Sequence, residues 1–196
     1  MMILAATNNS NKVKEIENIL KENFLSHINI SLPSQLGVFS DPTEDSDTLQ
    51  GNALIKANAL FLKTGIDCIA DDTGLFVEEL KGKPGVHSAR FASSKASDSE
   101  NRTHLLNLMQ NKRKRNAYFE TVICYKNQTE HFFFYGKCEG EITTEELGEN
   151  GFGYDPIFVP KGYNQTFAQI DPKVKNKISH RYKAILEFAK WLKNQY

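Results

Sequence analysis

The sequence has few cysteines, no excess of charge of either sign and no long hydrophobic run. Its 196 residues include three cysteines, widely spaced, which excludes a disulfide framework and a paired-cysteine zinc site and indicates a reducing, cytoplasmic setting. Lys plus Arg and Asp plus Glu number 24 each, so the basic excess typical of nucleic-acid and membrane-surface binders is missing. No stretch approaches the roughly 18 apolar residues of a membrane helix. A local basic pocket for a small anion remains compatible with this balance.

The order of apolar runs and helical repeats predicts an α/β fold with a mixed β-sheet and flanking helices, in a single domain over residues 1–196. Strands are predicted at 2–6, 28–32, 68–70, 75–77, 118–125 and 131–138, the last two as a hairpin. Helices are predicted after residue 12, from the N-cap Thr48 to about 63, from the capping box of Ser97 and Glu100 to about 109, and from 180 to 193 behind Ser179.

The first candidate site is ATNNSNK, residues 6–12, between the first strand and the first helix. A helix start offers free backbone N–H groups and a positive dipole end, which suit a phosphate, and Lys12 adds a charge there. A lysine at this end opposes the helix dipole, so an anionic partner would explain it. The motif G-x-x-x-x-G-K-[ST] is absent, which excludes a P-loop. An ordinary polar connection between strand and helix is the alternative.

The second candidate is IADDTGLFVEEL, residues 69–80, where Asp71 and Asp72 are expected to end an apolar strand. Successive strand residues point to opposite faces, so one carboxylate can face a cleft while the other faces structure or solvent. Such a carboxylate could bind Mg²⁺ or take a proton from water. The alternative is an Asp-rich turn in which one side chain caps the backbone.

The third candidate is GENGFGYDPIFVP, residues 148–160. Its glycines would let the backbone approach a flat ligand, and Phe152 and Tyr154 offer stacking faces for a nucleobase. Asp155 could accept an N–H from a base edge. A core turn with buried rings is the alternative.

The fourth candidate is KVKNKISHRYKAI, residues 173–185, a basic cluster in a neutral protein. His180 and Arg181 fall in the first turn of the last helix, where cations oppose the dipole and an anion or polarised carbonyl would compensate them. The alternative is a solvated helix face.

Together these stretches resemble the inosine triphosphate pyrophosphatase family, which hydrolyses non-standard purine nucleoside triphosphates to the monophosphate and pyrophosphate. The matching blocks are ATNNSNKVKEI, TLQGNALIKA at 48–57, ADDTGLFVEELKGKPGVHSARFA at 70–92, GFGYDPIFVP at 151–160 and KNKISHR at 175–181. Their order and spacing agree over nearly the whole chain. The resemblance implies two lobes around a central substrate cleft, Mg²⁺ as cofactor, a homodimer and dITP, ITP, XTP or dXTP as substrate.

The resemblance also implies roles for matching residues. Asp72 would bind Mg²⁺ and act as the general base, and Glu44 would be the second metal ligand, with Asp41 as the alternative. The implied substrate-binding residues are Thr7, Asn8, Asn9, Ser10, Asn11 and Lys12 around the triphosphate, Thr73 beside Asp72, Phe152, Gly153, Tyr154 and Asp155 at the purine, Lys175 on phosphate, and His180 with Arg181 at the 6-keto oxygen.

Two departures and two competing interpretations accompany the resemblance. Gly51 stands where the family commonly has glutamate, and Thr73 replaces a more usual serine. A Maf-type pyrophosphatase would act on other nucleotides, but the FGYD and SHR blocks argue against it. A sensor that binds triphosphates without cleaving them is the non-enzymatic alternative, and the presence of Asp72 argues against that.

Overall fold

The computed structural model describes residues 1–195, apart from the side chain of Asn11. This part of the chain forms a seven-stranded sheet and five α-helices, which confirms the mixed α/β fold. The strands are β1 (Met2–Ala5), β2 (Asn29–Ser31), β3 (Cys68–Val77), β4 (Pro84–Gly85), β5 (Asn116–Lys126), β6 (His131–Ile142) and β7 (Phe158–Pro160). The helices are α1 (Ser10–Glu22), α2 (Leu49–Thr64), α3 (Asp98–Leu108), α4 (Pro172–Ile178) and α5 (His180–Lys193).

The sheet is mixed, with strand order β2-β1-β3-β5-β6-β7 and with β4 paired to β3. The strand β1 is parallel to both β2 and β3, whereas β4 is antiparallel to β3 and β7 is antiparallel to β6. In the register of β1 with β3, Leu4 pairs with Cys68 and Ala5 with Ile69. Because β1 ends at Ala5, the next residues of β3 lie beyond the end of that partner.

The chain divides into two compact units, each with its own apolar core. Unit 1 contains Met1–Asp72, Thr121–Gly136 and the chain from Arg181 onward, and its core packs α1 and α5 side chains such as Leu20 and Phe188 around Ile3 and Ile123. Unit 2 contains Thr73–Glu120 and Lys137–His180. Its core includes Leu75, Leu105, Phe119, Phe158 and Phe167.

The predicted helix boundaries at α2 and α3 are confirmed by their caps. The Thr48 hydroxyl accepts a hydrogen bond from the Gly51 N–H at 3.0 Å, and Gly65 ends α2 with a φ of 65°. Ser97 and Glu100 form the expected capping box at the start of α3. The short helix α4 was not predicted, because lysines interrupt its apolar pattern and only Val174 and Ile178 share a face.

The prediction for the Asp71–Asp72 stretch was wrong in one respect. The two aspartates were expected to end one strand before a second began at Leu75, but β3 runs without a break from Cys68 to Val77. Asp and Gly are poor strand formers, so the sequence DDTG read as a turn. Gly74 has a packing reason to be in the strand, since a Cβ there would lie 2.6 Å from the Gly85 carbonyl oxygen of β4.

No helix in residues 1–195 combines the length and the apolar character that crossing a bilayer requires.

Candidate functional site

The turn from β1 into α1 presents polar groups at an exposed helix start. The Thr7 hydroxyl accepts a hydrogen bond from the Asn9 N–H at 3.1 Å, which folds the turn. Asn8, Asn9 and Ser10 are exposed, and the first turn of α1 contains no acidic residue. These features suit an anion. The predicted contact of Asn11 concerns a side chain outside the described part of the chain.

Asp71 is held by two cations from distant parts of unit 1. The Lys12 ammonium lies 2.9 Å from each carboxylate oxygen of Asp71, and Arg181 Nε lies 3.4 Å from Oδ2. Arg181 also pairs with Glu15, with 3.7 Å between NH1 and Oε2. The side chains of Asp71 and Arg181 are only 15% and 11% exposed, so this ion cluster is largely screened from water.

Burial of the Asp71 carboxyl disfavours its charged form, yet its pKa lies below the usual range. The charges of Lys12, Arg181 and Lys56, in that order, outweigh the burial. Asp71 is therefore ionised at neutral pH and acts as the counter-ion of Lys12 and Arg181. A carboxylate so engaged is a poor proton acceptor.

Asp72 faces a different partner. The Lys56 ammonium of α2 lies 2.9 Å from Asp72 Oδ1 and 2.9 Å from Glu44 Oε2, so one cation bridges two carboxylates. The other Asp72 oxygen, Oδ2, is buried and has no hydrogen-bond partner among the described residues. A buried carboxylate oxygen without a partner is costly in a folded protein and marks a place where a water proton or a cation would be stabilised.

Burial raises the pKa of Asp72 to about 6. The positive charge of Lys56 opposes this rise, and the nearby Glu44 carboxylate adds to it. Burial also lowers the pKa of Lys56, but Asp72 and Asp71 outweigh it and leave that pKa raised. Two adjacent aspartates thus have pKa values shifted in opposite directions, which separates a fixed counter-ion from a group poised to exchange a proton near neutral pH.

The Asp72–Glu44 pair fits a magnesium ion better than a transition metal. No group of three or more His, Cys, Asp or Glu side chains able to hold a metal occurs within residues 1–195. Mg²⁺ does not need one, since it is usually bound by one or two carboxylates, with waters and substrate phosphates completing its shell. Glu44 is half-buried beside Lys56, whereas the alternative ligand Asp41 is exposed.

Sequence reasoning assigned no role to Lys56, although it lies within a block that carried the resemblance. The signal that could have found it is its position on α2. Buried residues of this helix include Asn52, Ala53, Ala57 and Leu60, and Lys56 lies on the same stripe with a side chain only 15% exposed. A lysine on the buried face of a helix needs an anionic partner.

Gly51, where the family commonly has glutamate, also has a local explanation. A Cβ at this position would lie 2.0 Å from the hydroxyl oxygen of Ser46. The Ser46 side chain therefore occupies the space that a Cβ on residue 51 would need, and would have to shift to admit one.

In unit 2 the glycine-rich loop wraps around Asp155. The Asp155 carboxylate is 4% exposed, and its Oδ2 accepts hydrogen bonds from the Phe152 N–H at 2.8 Å and from Lys175 Nζ at 2.5 Å. A Cβ on Gly151 would lie 2.2 Å from the same oxygen, and the φ of Gly151 is +82°. Only glycine fits there. The missing side chain at Gly151 leaves the space that the Asp155 carboxylate occupies.

The Phe152 ring remains 61% exposed, although it is large and apolar. Lys175 Nζ lies 5.0 Å from its ring centroid, within the range of a cation–π contact. The other predicted members of this group differ in exposure. Tyr154 is 5% exposed and donates its hydroxyl proton to the Ser88 carbonyl at 2.8 Å, so it belongs to the core beneath the loop.

The adjacent residues His180 and Arg181 contribute to different units. His180 is 6% exposed in unit 2, and its ring stacks on Phe119 with centroids 4.6 Å apart. Arg181 belongs to the Asp71 cluster of unit 1. Thr73 follows Asp72 in β3 and is half-buried. The structure thus groups Lys12, Asp71 and Arg181 with Lys56, Glu44 and Asp72 in unit 1, and Phe152, Gly153, Tyr154, Asp155 and Lys175 in unit 2.

Comparison with known proteins gives one consistent match. The model of the Ham1 family matches residues 3–191. A dITP/XTP pyrophosphatase of Flavobacterium psychrophilum is 45% identical over 194 residues, covering 99% of this chain and 100% of that protein. A dITP/XTP pyrophosphatase of Leptospira interrogans is 43% identical over 191 residues, covering 96% of this chain and 95% of that protein. The solved structure of the Staphylococcus aureus Ham1 protein superposes with a TM-score of 0.91 at 36% identity, covering 100% of both chains.

The ion cluster around Asp71 predicts a pH-dependent loss of stability in Asp71→Asn. Removing one partner of a buried ion pair costs on the order of 3 kcal/mol, and here it leaves Lys12 and Arg181 facing each other. We expect the free energy of unfolding at pH 7, measured by urea denaturation, to fall by about this amount. The matched control is the exposed Asp41→Asn, expected to change it by less than about 0.5 kcal/mol.

The sign of the pH dependence follows from the lowered pKa. Asp71 stabilises the fold fully above its unfolded-state pKa of about 3.9 and loses this effect as the pH falls towards the lower folded-state value. The difference in the free energy of unfolding between wild type and Asp71→Asn should therefore become smaller below about pH 4. If Asp71→Asn and Asp41→Asn lower the free energy of unfolding equally at pH 7, the ion cluster does not stabilise the fold as argued.

Proposed function

The chain belongs to the Ham1 family, and we infer that it hydrolyses non-standard purine nucleoside triphosphates, dITP, ITP, XTP and dXTP, to the monophosphate and pyrophosphate. Removing deaminated purines from the nucleotide pool would be the result. The near full-length agreement with relatives that are dITP/XTP pyrophosphatases supports the reaction class. The observation within this chain that carries the chemistry is Asp72, a buried carboxylate with an unpartnered oxygen and a raised pKa.

The chemical step that we propose is in-line attack of water on a phosphorus of the α–β anhydride. Asp72 accepts a proton from the attacking water as the new P–O bond forms, and the bridging P–O bond breaks to release pyrophosphate. In the metal-free chain burial raises the pKa of Asp72 to about 6, so the carboxylate is largely ionised at neutral pH and able to accept the proton.

We propose Mg²⁺ as the cofactor, held by Asp72 and Glu44. When bound, it neutralises charge that develops on the phosphate oxygens. Lys56 already bridges these carboxylates at 2.9 Å from each, so it sets their separation and supplies positive charge at the same place.

Lys12 and Arg181 are proposed to bind the phosphates. Both cations are now paired with Asp71, and a triphosphate would compete with that carboxylate for the same donors. Thr7, Asn8, Asn9, Ser10 and Asn11 are proposed to add polar and backbone contacts at the start of α1, where the helix dipole favours an anion. Thr73 is proposed to assist beside Asp72. Lys175 remains a candidate for phosphate, although here it lies beside Asp155 and Phe152.

Phe152 is proposed to stack on the purine, since its exposed ring offers a π-face that any base can use. Gly153, Tyr154 and Asp155 would shape that surface. We assign recognition of the 6-keto oxygen to His180 before Arg181. His180 shares unit 2 with Phe152, whereas the Arg181 guanidinium is paired with Asp71.

Selectivity against adenine follows from polar mismatch. Adenine presents a donor at position 6 and an acceptor at N1, whereas hypoxanthine and xanthine present an acceptor and a donor. Each buried polar group left unpaired costs about 1–3 kcal/mol, so two mismatches give roughly 2–6 kcal/mol. This corresponds to a discrimination on the order of 30-fold to 10⁴-fold. A difference of one methylene would give only about 10–200-fold.

A cytoplasmic homodimer that acts on small-molecule nucleotides is the remaining part of the proposal. The equal numbers of acidic and basic residues give no support to nucleic acid as a partner. The dimer is supported only by the family resemblance, and light scattering of the purified chain would test it.

The purified chain with Mg²⁺ should release pyrophosphate quickly from dITP and XTP and slowly from dATP. The polar mismatches at position 6 and N1 are the reason for the difference. Pyrophosphate and orthophosphate are to be assayed separately. Orthophosphate as the product would move the cleavage to the γ-phosphate, and tight dITP binding without any product would indicate a sensor.

Asp72→Asn should bind dITP with nearly unchanged affinity and lose turnover, because the amide cannot accept the water proton. General-base catalysis typically contributes about 10²–10⁴-fold, so kcat should fall by at least this range. Single-turnover rates and equilibrium binding of dITP are to be measured on the same preparations. The matched control is Asp45→Asn in the exposed loop before α2. Turnover near the wild-type rate in Asp72→Asn would remove Asp72 from the base role.

A further inference from the structure

Phe152 lies on a segment that the chain itself makes flexible. Gly151 and Gly153 flank it with φ values of +82° and +59°, a region that glycine enters freely. The preceding side is tied to Asp155 through the Phe152 N–H. On the following side the Phe152 carbonyl accepts a hydrogen bond from the Asp155 N–H at 3.2 Å, while Gly153 has no side chain of its own to hold it. An exposed ring between two glycines would sample many orientations unless something fixes the backbone after it.

Helix α3 supplies that restraint from two consecutive turns. Asp98 Oδ2 accepts a hydrogen bond from the Gly153 N–H at 2.7 Å, and Arg102 NH1 donates to the Gly153 carbonyl at 2.8 Å. The two side chains are four residues apart and lie on one face of the helix. Both backbone polar groups of a single glycine are thus held by one pair of charged side chains, which we call the α3 clamp.

The clamp is itself fixed in place. Arg102 is 14% exposed and pairs with Glu146, with 2.9 Å between Nε and Oε2. Asp98 lies in the first turn of α3, where a negative charge is favourable, and the capping box of Ser97 and Glu100 holds that turn. Hydrogen bonds in which one partner is charged are about twice as strong as neutral ones. The glycine is therefore anchored to a rigid helix.

We propose that Asp98 and Arg102 are positioning residues that fix Phe152 for stacking on the purine. This inference rests on the proposed function, because it takes Phe152 as the base platform. The clamp holds the backbone on one side of the ring while Asp155 holds it on the other, so the ring is ordered before the substrate arrives. Binding then avoids the cost of ordering that segment. The effect is on substrate affinity and leaves the chemical step at Asp72 unchanged.

The size of the effect follows from backbone ordering. Releasing one residue's backbone and letting it re-order on binding weakens affinity by roughly 5- to 30-fold. We expect Asp98→Ala and Arg102→Ala to raise KM for dITP by about this factor, with kcat within about twofold of wild type. Asp98→Asn keeps an oxygen that accepts the Gly153 N–H, so it should restore KM to near the wild-type value.

Two further variants separate positioning from general stability. Asn107→Gly, at an exposed position in the last turn of α3, leaves both contacts to Gly153 and the capping box in place, so it should destabilise α3 and leave KM unchanged. In a Phe152→Ala background, Asp98→Ala should no longer change KM, because the ring that it positions is gone. An equal rise in KM for Asn107→Gly, or an undiminished effect of Asp98→Ala on KM in the absence of the Phe152 ring, would overturn the clamp.

Hydrogen exchange tests the clamp without reference to activity. The Gly153 amide should exchange at least 10-fold faster in Asp98→Ala than in wild type, and at the wild-type rate in Asn107→Gly. Unchanged Gly153 exchange in Asp98→Ala would refute the clamp even if the enzyme hydrolyses dITP. A wild-type chain that protects Gly153 but shows no turnover of dITP would refute the proposed function and leave the anchoring of the loop intact.

Discussion

The structure of unit 1 depends on two consecutive carboxylates in an unbroken strand. Because neighbouring strand residues point to opposite faces, Asp71 and Asp72 cannot share one partner in the same way. Each is largely buried, and a buried carboxylate needs a cation or hydrogen-bond donors. The chain meets this need with Lys12 and Arg181 on Asp71, from the first and last helices, and with Lys56 on Asp72.

An asymmetry between the two aspartates follows from this arrangement. The charges of Lys12, Arg181 and Lys56 outweigh the burial of Asp71, so its pKa is lowered. Asp72 shares a single ammonium with Glu44 and keeps one oxygen unpartnered, so burial dominates and its pKa is raised. Asp71 therefore pairs with the cations, whereas Asp72 keeps one carboxylate oxygen without a partner among the described residues. In unit 2 a third buried carboxylate, that of Asp155, is likewise paired with a cation, Lys175. It also accepts a hydrogen bond from the Phe152 N–H and so holds the loop that carries the exposed Phe152 ring.

Local sequence signals predicted much of the fold. Caps and apolar periodicity predicted α2, α3 and α5. The roles of the candidate residues stay predictions, and two of them, Tyr154 and His180, lie buried among the aromatic side chains of unit 2. The features that the sequence did not predict are those determined by contacts between residues far apart in the chain. The break predicted at DDTG is absent, since β3 runs through it as a strand between β1 and β5. Lys56 pairs with Glu44 and Asp72, which lie 12 and 16 positions away. The α3 clamp joins residues 51 and 55 positions apart. No local pattern encodes those contacts.

We propose that Asp72 exchanges a proton and binds the metal while Asp71 stays a fixed counter-ion. Carbon-13 NMR of the aspartate carboxyl groups, assigned with the two Asn variants, tests this directly when titrated with and without Mg²⁺. Without metal, Asp72 should titrate with an apparent pKa of about 6 while Asp71 stays ionised over the same range. Saturating Mg²⁺ should remove the Asp72 titration above about pH 5, because a nearby cation favours the charged form. An Asp72 signal with an ordinary pKa that ignores Mg²⁺, or an Asp71 signal that titrates near neutral pH, would contradict the assignment.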